Sequence, residues 1–447
     1  MNSHTYKRFN DPAKLLLFCL ALLGLFEAWS YAQQNPGLDY YVTWTVVDAT
    51  RNDSGYSIYD LRDQKRMSLL YRSKALSEGK TSRRAIYAKF PVTSVTASPF
   101  LYTTVNMLST SNYETSLKIW NALSLFGFSA AILLFCNLLG LSRSASLVLL
   151  VPSLIGMSAF FSDLRLANID SIQLGLLALV FYLLSRDSKA VYLFCAAALI
   201  AMLALLKLNL APISLLLLGA WLIQGHRRKF LLGLVGMAVG ALFAFGVSSL
   251  FFGDVGIWYE WLDRLLSLSR VSQTVIPFTD GNYSLLGSLG VDLSLTGKIA
   301  LAFALCALIL SFMWWGRRAG GQTRDQSPEA RRERELIEYA QLIAMGCLPF
   351  LLVSPLVWLH YYVWVIPMLI VTFRPWSRPP AHGTLAILLL RVLPSLILIA
   401  SLDGPHWSLL RDNYVAGRII ASMSTAVLLF ALGLWQLRFQ DDRLPGY

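Results

Sequence analysis

The sequence predicts an all-α, polytopic membrane protein: a bundle of about twelve transmembrane helices with a large first outer loop. Two observations predict it. Of 447 residues, 56% are hydrophobic and only 14% charged, too little charge to cover a soluble surface of this size. Apolar runs near the roughly 20 residues that cross a bilayer recur from end to end. A third observation orients them, because basic residues collect in alternate loops.

The elements follow in order. Lys7, Arg8 and Lys14 precede an apolar run from Leu15, as in a signal peptide, but Glu27 and Trp29 sit where a small-residue cleavage site would lie. The run is expected to remain as a first span, 15–32. Residues 33–116 form the first outer loop, irregular apart from short amphipathic helices near DYYVTWTVVDA and FLYTTVNML. Spans are expected at 117–137, 146–162 and 171–185. The stretch 190–224 is about 35 residues long, too long for one crossing, and carries one charge, Lys207. A lysine at mid-bilayer costs about 2.5–3.5 kcal/mol. Two spans, 190–206 and 210–224, with a surface turn at KLNLAP avoid that cost. A span at 230–252 leads to the second long outer loop, 253–298, where IWYEWLDRLLSL is suited to lying in the interface. After a span at 299–315, the run 316–337 reads as a flexible, solvated basic loop. The last spans are 338–354, 361–374, 384–402 and 418–437. The whole chain, 1–447, is one integral-membrane domain.

The net charge of +12 does not indicate nucleic acid, since no basic stripe forms. It is a topology signal. With the N-terminus inside, the cytoplasmic loops hold Arg143; Arg186 and Lys189; Arg227, Arg228 and Lys229; Arg317, Arg318, Arg324, Arg331, Arg332 and Arg334; and Arg374 and Arg378. Short outer loops hold only Arg165, Lys207 and Arg411. Both ends are therefore expected in the cytoplasm. Cys19, Cys136, Cys195, Cys306 and Cys347 all lie in apolar segments without metal spacing and read as small core residues.

That topology sorts the unusual polar residues onto one face. Asp39 follows the first span. Asp163, Arg165, Asn168 and Asp170 share an outer turn; Lys207 and Asn209 tip another; Asn282 and Ser284 lie in the second long loop; His360 opens a span. Each has a plainer reading. His360 suits an aromatic belt, Lys207 a snorkelling turn, Asp163 with Arg165 a structural pair, and Asn282-Tyr-Ser284 a glycosylation sequon. Their shared face is the stronger observation. No P-loop, GxSxG or HExxH occurs, which argues against a soluble nucleotide-sugar donor. Lysine and arginine suit a phosphate, and a lone carboxylate suits a general base acting on a hydroxyl. A polyprenyl-phosphate sugar, with its tail in lipid and its phosphate at the headgroup level, fits these groups.

Several stretches, in this order, resemble glycosyltransferase family 87 of the GT-C superfamily. They are GLDYYVTW with GYSIYD, SPF at 98–100, RLANIDSIQLGLLAL, LALLKLNLAP, NYSLLGSL and SPLVWLHYYVWVIP. The resemblance runs from about 37 to 374. The chain departs from the family pattern in four places. Ala167-Asn168 replaces a Gly-Gln pair, His360-Tyr361 replaces paired histidines, the proline after the lysine is displaced to Pro212, and a basic insert occupies about 62–89.

The family holds polyprenyl-phosphate-mannose-dependent mannosyltransferases and related arabinofuranosyltransferases. The resemblance implies a hexosyltransferase that inverts the anomeric centre at the outer face of the inner membrane. Its substrates would be a polyprenyl-phosphate sugar, with mannose the first candidate by family precedent and arabinofuranose the alternative, and a lipid or glycan hydroxyl. It implies Asp39 as the general base, with His360 beside the donor phosphate or sugar. Lys207 and Arg165 become phosphate partners, and Asn168, Asn282 and Ser284 donor-binding residues. Trp358 and Tyr361 would stack on the sugar or frame the lipid groove. No cofactor or essential metal is expected, because Lys, Arg and His balance the phosphate charge. The rival classes are a flippase for a lipid-linked sugar, which needs no base, and a GT-C ligase with a diphosphate donor.

Overall fold

The computed structural model describes residues 12–52, 55–77, 95–186, 189–270, 282–291, 293–319, 327–354, 356–374 and 426–437. Every regular element among them is helical. The N-terminal part comprises α1 (Pro12–Gln34), α2 (Leu38–Asn52), α3 (Leu61–Ser77), α4 (Pro99–Leu108), α5 (Tyr113–Leu138), α6 (Arg143–Gly156), α7 (Ser158–Leu166) and α8 (Asp170–Ser185). Then come α9 (Ala190–Leu206), α10 (Ala211–Ile223), α11 (Arg227–Phe252), α12 (Ile257–Arg270), α13 (Leu285–Ser288) and α14 (Leu295–Ala319). The last are α15 (Pro328–Gly346), α16 (Leu348–Val353), a 3₁₀ helix (Leu359–Val365), α17 (Ile366–Phe373) and α18, residues 426–437.

Five helical stretches are long and apolar enough to cross a membrane, and the bent pair α6–α7 makes a sixth; shorter apolar helices include α8, α9 and α18. Leu16, Phe26, Leu242, Phe243 and Leu250 lie exposed on α1 and α11. Exposure of this kind is costly in water and favourable in lipid. The chain is a multi-pass membrane protein.

Between lipid-facing helices the hydrophobic effect supplies little, so close backbone packing matters more. Two glycine contacts provide it. A Cβ on Gly175 of α8 would stand 2.6 Å from the Gly127 Cα of α5, and one on Gly127 would stand 2.7 Å from the Ser171 carbonyl oxygen. On α11, a Cβ at Gly240 would lie 2.2 Å from the Ala198 oxygen of α9, and one at Gly236 would lie 2.6 Å from the Phe194 oxygen. The first contact sets the N-terminus of α8, and with it Asp170.

The structure corrects three expectations. The segment 146–162 is no straight span. Pro152 lies inside α6 without ending it, and α6 and α7 meet at 55° across Met157, whose extended backbone breaks the helix. The bend turns α7, with Asp163 and Arg165, so that it packs against the 3₁₀ helix Leu359–Val365. The run 316–337 is largely helical where described. Ser327 caps α15 by accepting from the Ala330 N–H at 3.3 Å, and Pro328 occupies the first turn, a helix start rather than a loop. Its acidic residues meet basic partners on neighbouring helices: Glu338 with Arg317 (Nε to Oε1, 2.9 Å), Glu335 with Lys229 (3.3 Å) and Glu333 with Arg374 (2.6 Å). Between α1 and α5, helices stand at the two expected stretches, and a third, α3, occupies much of the basic insert. The expected span 384–402 lies outside the described residues, as do Arg324, Arg378 and Arg411.

Gly175→Leu should force α8 away from α5. Overpacking of this kind costs about 1–3 kcal/mol or more, so thermal unfolding in detergent should show a lowered midpoint. Gly246→Ala is the control. Nothing lies within 4 Å of a Cβ there, and helix propensity favours alanine by about 0.5–1 kcal/mol, so the midpoint should hold or rise.

Candidate active site

Asp39 stands in the first turn of α2, where the positive end of the helix dipole favours a carboxylate. The turn that delivers it needs Gly37, which has φ of 68°. A side chain there would also strike the Leu117 Cδ1 at 2.7 Å and the Ala167 Cβ at 2.8 Å. The turn after α1 therefore lies flush against the turn between α7 and α8. Tyr113 pins it by donating its hydroxyl hydrogen to the Pro36 carbonyl.

The second turn is built on Ala167, the only non-glycine residue with positive φ among those described, at 50°. It ends α7 in the left-handed conformation. The Asn168 N–H then returns to the Asp163 carbonyl at 3.1 Å. The Asp163 carboxylate accepts the Ser171 N–H at 3.2 Å, satisfying a free amide at the start of α8. Trp120 donates its indole N–H to the Asn168 carbonyl at 3.2 Å. Together these contacts hold the Asn168 side chain at the centre of the polar cluster.

Asn168 is the hub. Its Nδ2 donates to Asp39 Oδ2 at 2.6 Å and lies 3.2 Å from His360 Nε2. Its Oδ1 accepts from Lys207 Nζ at 3.2 Å and from the Ile169 N–H at 2.7 Å. An amide can serve an anion and a cation at once because it carries both donor and acceptor. With Nδ2 as the donor, His360 Nε2 accepts and the ring proton sits on Nδ1. That atom is buried and has no hydrogen-bond partner among the described residues.

Lys207 terminates α9 in extended backbone before the 3₁₀ turn Leu208–Leu210. The expected tight turn is present, but the lysine does not snorkel outward. Its side chain is 18% exposed and points inward, 2.6 Å from Asp170 Oδ1. Asp170 is fully buried, and its second oxygen lies 3.8 Å from His360 Nε2. The ammonium also lies over the Tyr361 ring at 4.1 Å and the Trp364 ring at 5.4 Å. Tyr361 and Trp364 stack on each other at 5.8 Å. Arg165 is exposed and forms no hydrogen bond or ion pair with a described residue. It does not pair with Asp163. Its charge nevertheless reaches Asp39 and His360.

His360 arrives from an unusual segment. α16 stops at Val353, Ser354 and Trp358 are extended, and a 3₁₀ helix carries His360, Tyr361 and Trp364. Pro355 lies outside the described residues. Asn282 and Ser284 bind this segment. Asn282 Oδ1 accepts from the Val357 N–H at 3.1 Å and from the Ser284 N–H at 3.0 Å, and the Ser284 hydroxyl donates to the Ser354 carbonyl. The Tyr283 N–H donates to the Val357 carbonyl at 2.7 Å, and the Tyr362 hydroxyl donates to the Tyr283 carbonyl at 3.1 Å. Asn282 and Ser284 thus clamp the backbone that presents His360. With Asn282 only 4% exposed, the sequon is a buried turn. Trp358 is half-buried and accepts the Tyr361 N–H at 3.1 Å through its carbonyl.

The structure therefore brings together Asp39, Asn168, Lys207, His360 and Tyr361, sets Arg165 at the rim, and places Asn282 and Ser284 behind the histidine. It adds Trp364 and Trp120, and gives Asp170, already placed on this face, to Lys207 as its counter-ion. One signal could have assigned Asp170 that role: a lone lysine in an apolar segment needs a buried counter-ion, and this carboxylate opens the neighbouring span. The Asp39 carboxyl is held above its usual range, chiefly by burial. Asn168's hydrogen bond and the charges of Lys207 and Arg165 pull it back down. Among the described residues, no three His, Cys, Asp or Glu side chains gather to ligate a metal ion.

A helix bundle that gathers carboxylates, a histidine and a lysine around one amide suits group-transfer chemistry. The family model for glycosyltransferase family 87 matches residues 96–355, more than half of the chain. The chain belongs to that family and is a membrane glycosyltransferase. No curated protein matches it. The match includes Arg165, Asn168, Asp170 and Lys207. Asp39 and His360 fall outside it and are tied to it by their contacts with Asn168.

Asn282→Ala should leave two buried backbone N–H groups without their acceptor. Each such loss costs about 1–3 kcal/mol. We expect a lower thermal midpoint together with reduced sugar transfer, and Asn282→Asp, which keeps the acceptor oxygen, should retain more of both.

Proposed function

We propose that the chain transfers a hexose, with mannose the first candidate, from a polyprenyl-phosphate donor to a hydroxyl of a lipid or glycan acceptor. The reaction inverts the anomeric carbon and takes place at the outer face of the inner membrane. Both chain ends face the cytoplasm, 33–116 and 253–298 lie outside, and 316–337 lies inside. The carrying observation is the hydrogen-bonded chain from Asp39 through Asn168 to His360 and Lys207.

Each step maps onto a group. Asp39 takes the proton from the acceptor hydroxyl as its oxygen attacks the anomeric carbon. The bond from that carbon to the phosphate oxygen breaks, and polyprenyl phosphate leaves with the electron pair. The proton ends on Asp39. His360 stands beside the reacting sugar and phosphate, and Tyr361 closes the wall behind Lys207.

Purified protein in lipid, given polyprenyl-phosphate mannose and a membrane lipid extract, tests this reading. Wild type should transfer sugar, and Asp39→Asn should lower the rate by about two orders of magnitude or more, the scale of a lost general base. Transfer from another polyprenyl-phosphate sugar alone would change the sugar and keep the class. Movement of the donor across the bilayer, undiminished in Asp39→Asn and without transfer, would establish a flippase instead.

The pH profile gives a second test. Asp39 works ionised, so the rate falls as pH drops through its pKa. Asn168 makes the largest contribution holding that pKa down against burial. Asn168→Ala should therefore move the acidic limb of the profile to higher pH. A limb that stays in place or moves to lower pH would remove Asp39 from the role of base.

A further inference from the structure

Two cations stand near the polar cluster, and their surroundings differ. Lys207 carries three N–H donors and no acceptor. Its nitrogen already meets Asp170 Oδ1 at 2.6 Å and Asn168 Oδ1 at 3.2 Å, and its remaining face lies over the Tyr361 ring at 4.1 Å. A phosphate oxygen reaching Nζ would have to displace one of these partners. Asp170 also cancels the lysine's charge at contact distance, so the pair presents a dipole rather than a cation. Arg165 is the reverse case. It is exposed, has no hydrogen bond or ion pair with a described residue, and keeps its five-donor fork unspent. It stands in the last turn of α7, three residues before Asn168, and its charge acts on Asp39 and His360.

We propose that Arg165, and not Lys207, holds the donor phosphate, and that Asp170 makes Lys207 a positioning residue which orients Asn168 and, through it, Asp39. This rests on the transferase reading above. A planar guanidinium takes two phosphate oxygens side by side, which fixes the direction of the leaving oxygen as well as neutralising it. Bound at the rim, the phosphate stays at the mouth of the cluster with its lipid tail free to lie in the membrane. The sugar is then directed inward toward His360 and Asp39. The lysine acts through the amide it holds and touches neither substrate.

The test separates binding from turnover. Undecaprenyl phosphate is titrated against purified protein in lipid nanodiscs, and sugar transfer is followed as the donor concentration is varied. Arg165→Ala should weaken binding of undecaprenyl phosphate at least tenfold and raise the donor KM to match, and Arg165→Lys should recover part of both. Lys207→Met alone would strand the buried Asp170 and could unfold the protein. The double variant Asp170→Asn/Lys207→Met removes both charges together and keeps the volumes close. It should bind undecaprenyl phosphate within about threefold of wild type while kcat falls at least tenfold. Loss of binding in the double variant with Arg165→Ala unchanged would overturn the proposal, as would a double variant with undiminished kcat. Absence of saturable binding by wild type would overturn it too. Binding without sugar transfer in wild type would count against the transferase reading alone, and the contrast between Arg165 and the lysine pair would still decide this inference.

Discussion

The buried ion pair between Lys207 and Asp170 is the constraint on which the polar end of this bundle depends. Removing one partner of such a pair costs about 3–5 kcal/mol, because the other is left charged and unsolvated. The pair therefore dictates where neighbouring elements stop. α9 ends at Leu206 and a short 3₁₀ turn follows, which swings Nζ inward to a carboxylate on the first residue of α8. That carboxylate must itself be in place, and it is placed by the glycine contact between α5 and α8. Two glycines some distance from the reacting groups thus fix the position of a charge within the site.

Asn168 converts that fixed charge into an oriented base. One end of the amide accepts from the ammonium and the other donates to Asp39. A carboxylate here would repel Asp39, and a second cation would repel Lys207. An amide satisfies both neighbours without adding charge. The turn that carries it is strained for a non-glycine residue, since Ala167 occupies the left-handed region at a cost of about 1–2 kcal/mol. The Ala167 methyl packs toward Gly37, so the same contact holds the turn of Asn168 against the turn of Asp39.

The helix α15 is joined to its neighbours by a different kind of electrostatics. Its carboxylates pair with Arg317, Lys229 and Arg374 on three other helices. Here pairs are partly exposed and distributed along one helix, and they act as fasteners. In the polar cluster, charges converge on one amide, and no described residue pairs with Arg165.

Apolar periodicity, turn residues and loop charge determine a great deal of this protein without any tertiary information. They mark nearly every described span, the break at Lys207, the helices near Asp39 and Ser98, and the gathering of Asp39, Asn168, Lys207 and His360 on one face. These are local properties, or follow from the rule that buried polar groups must meet. Tertiary structure alone decides the rest. It bends the chain at Met157, joins α15 to its neighbours through alternating charges that in sequence resemble a solvated loop, and gives Asn282 and Ser284 to the backbone behind His360. It also commits Lys207 to Asp170 while leaving Arg165 unpaired among the described residues. A sequence shows which residues carry charge, but whether a charge is spent depends on distances of a few ångströms between helices remote in the chain.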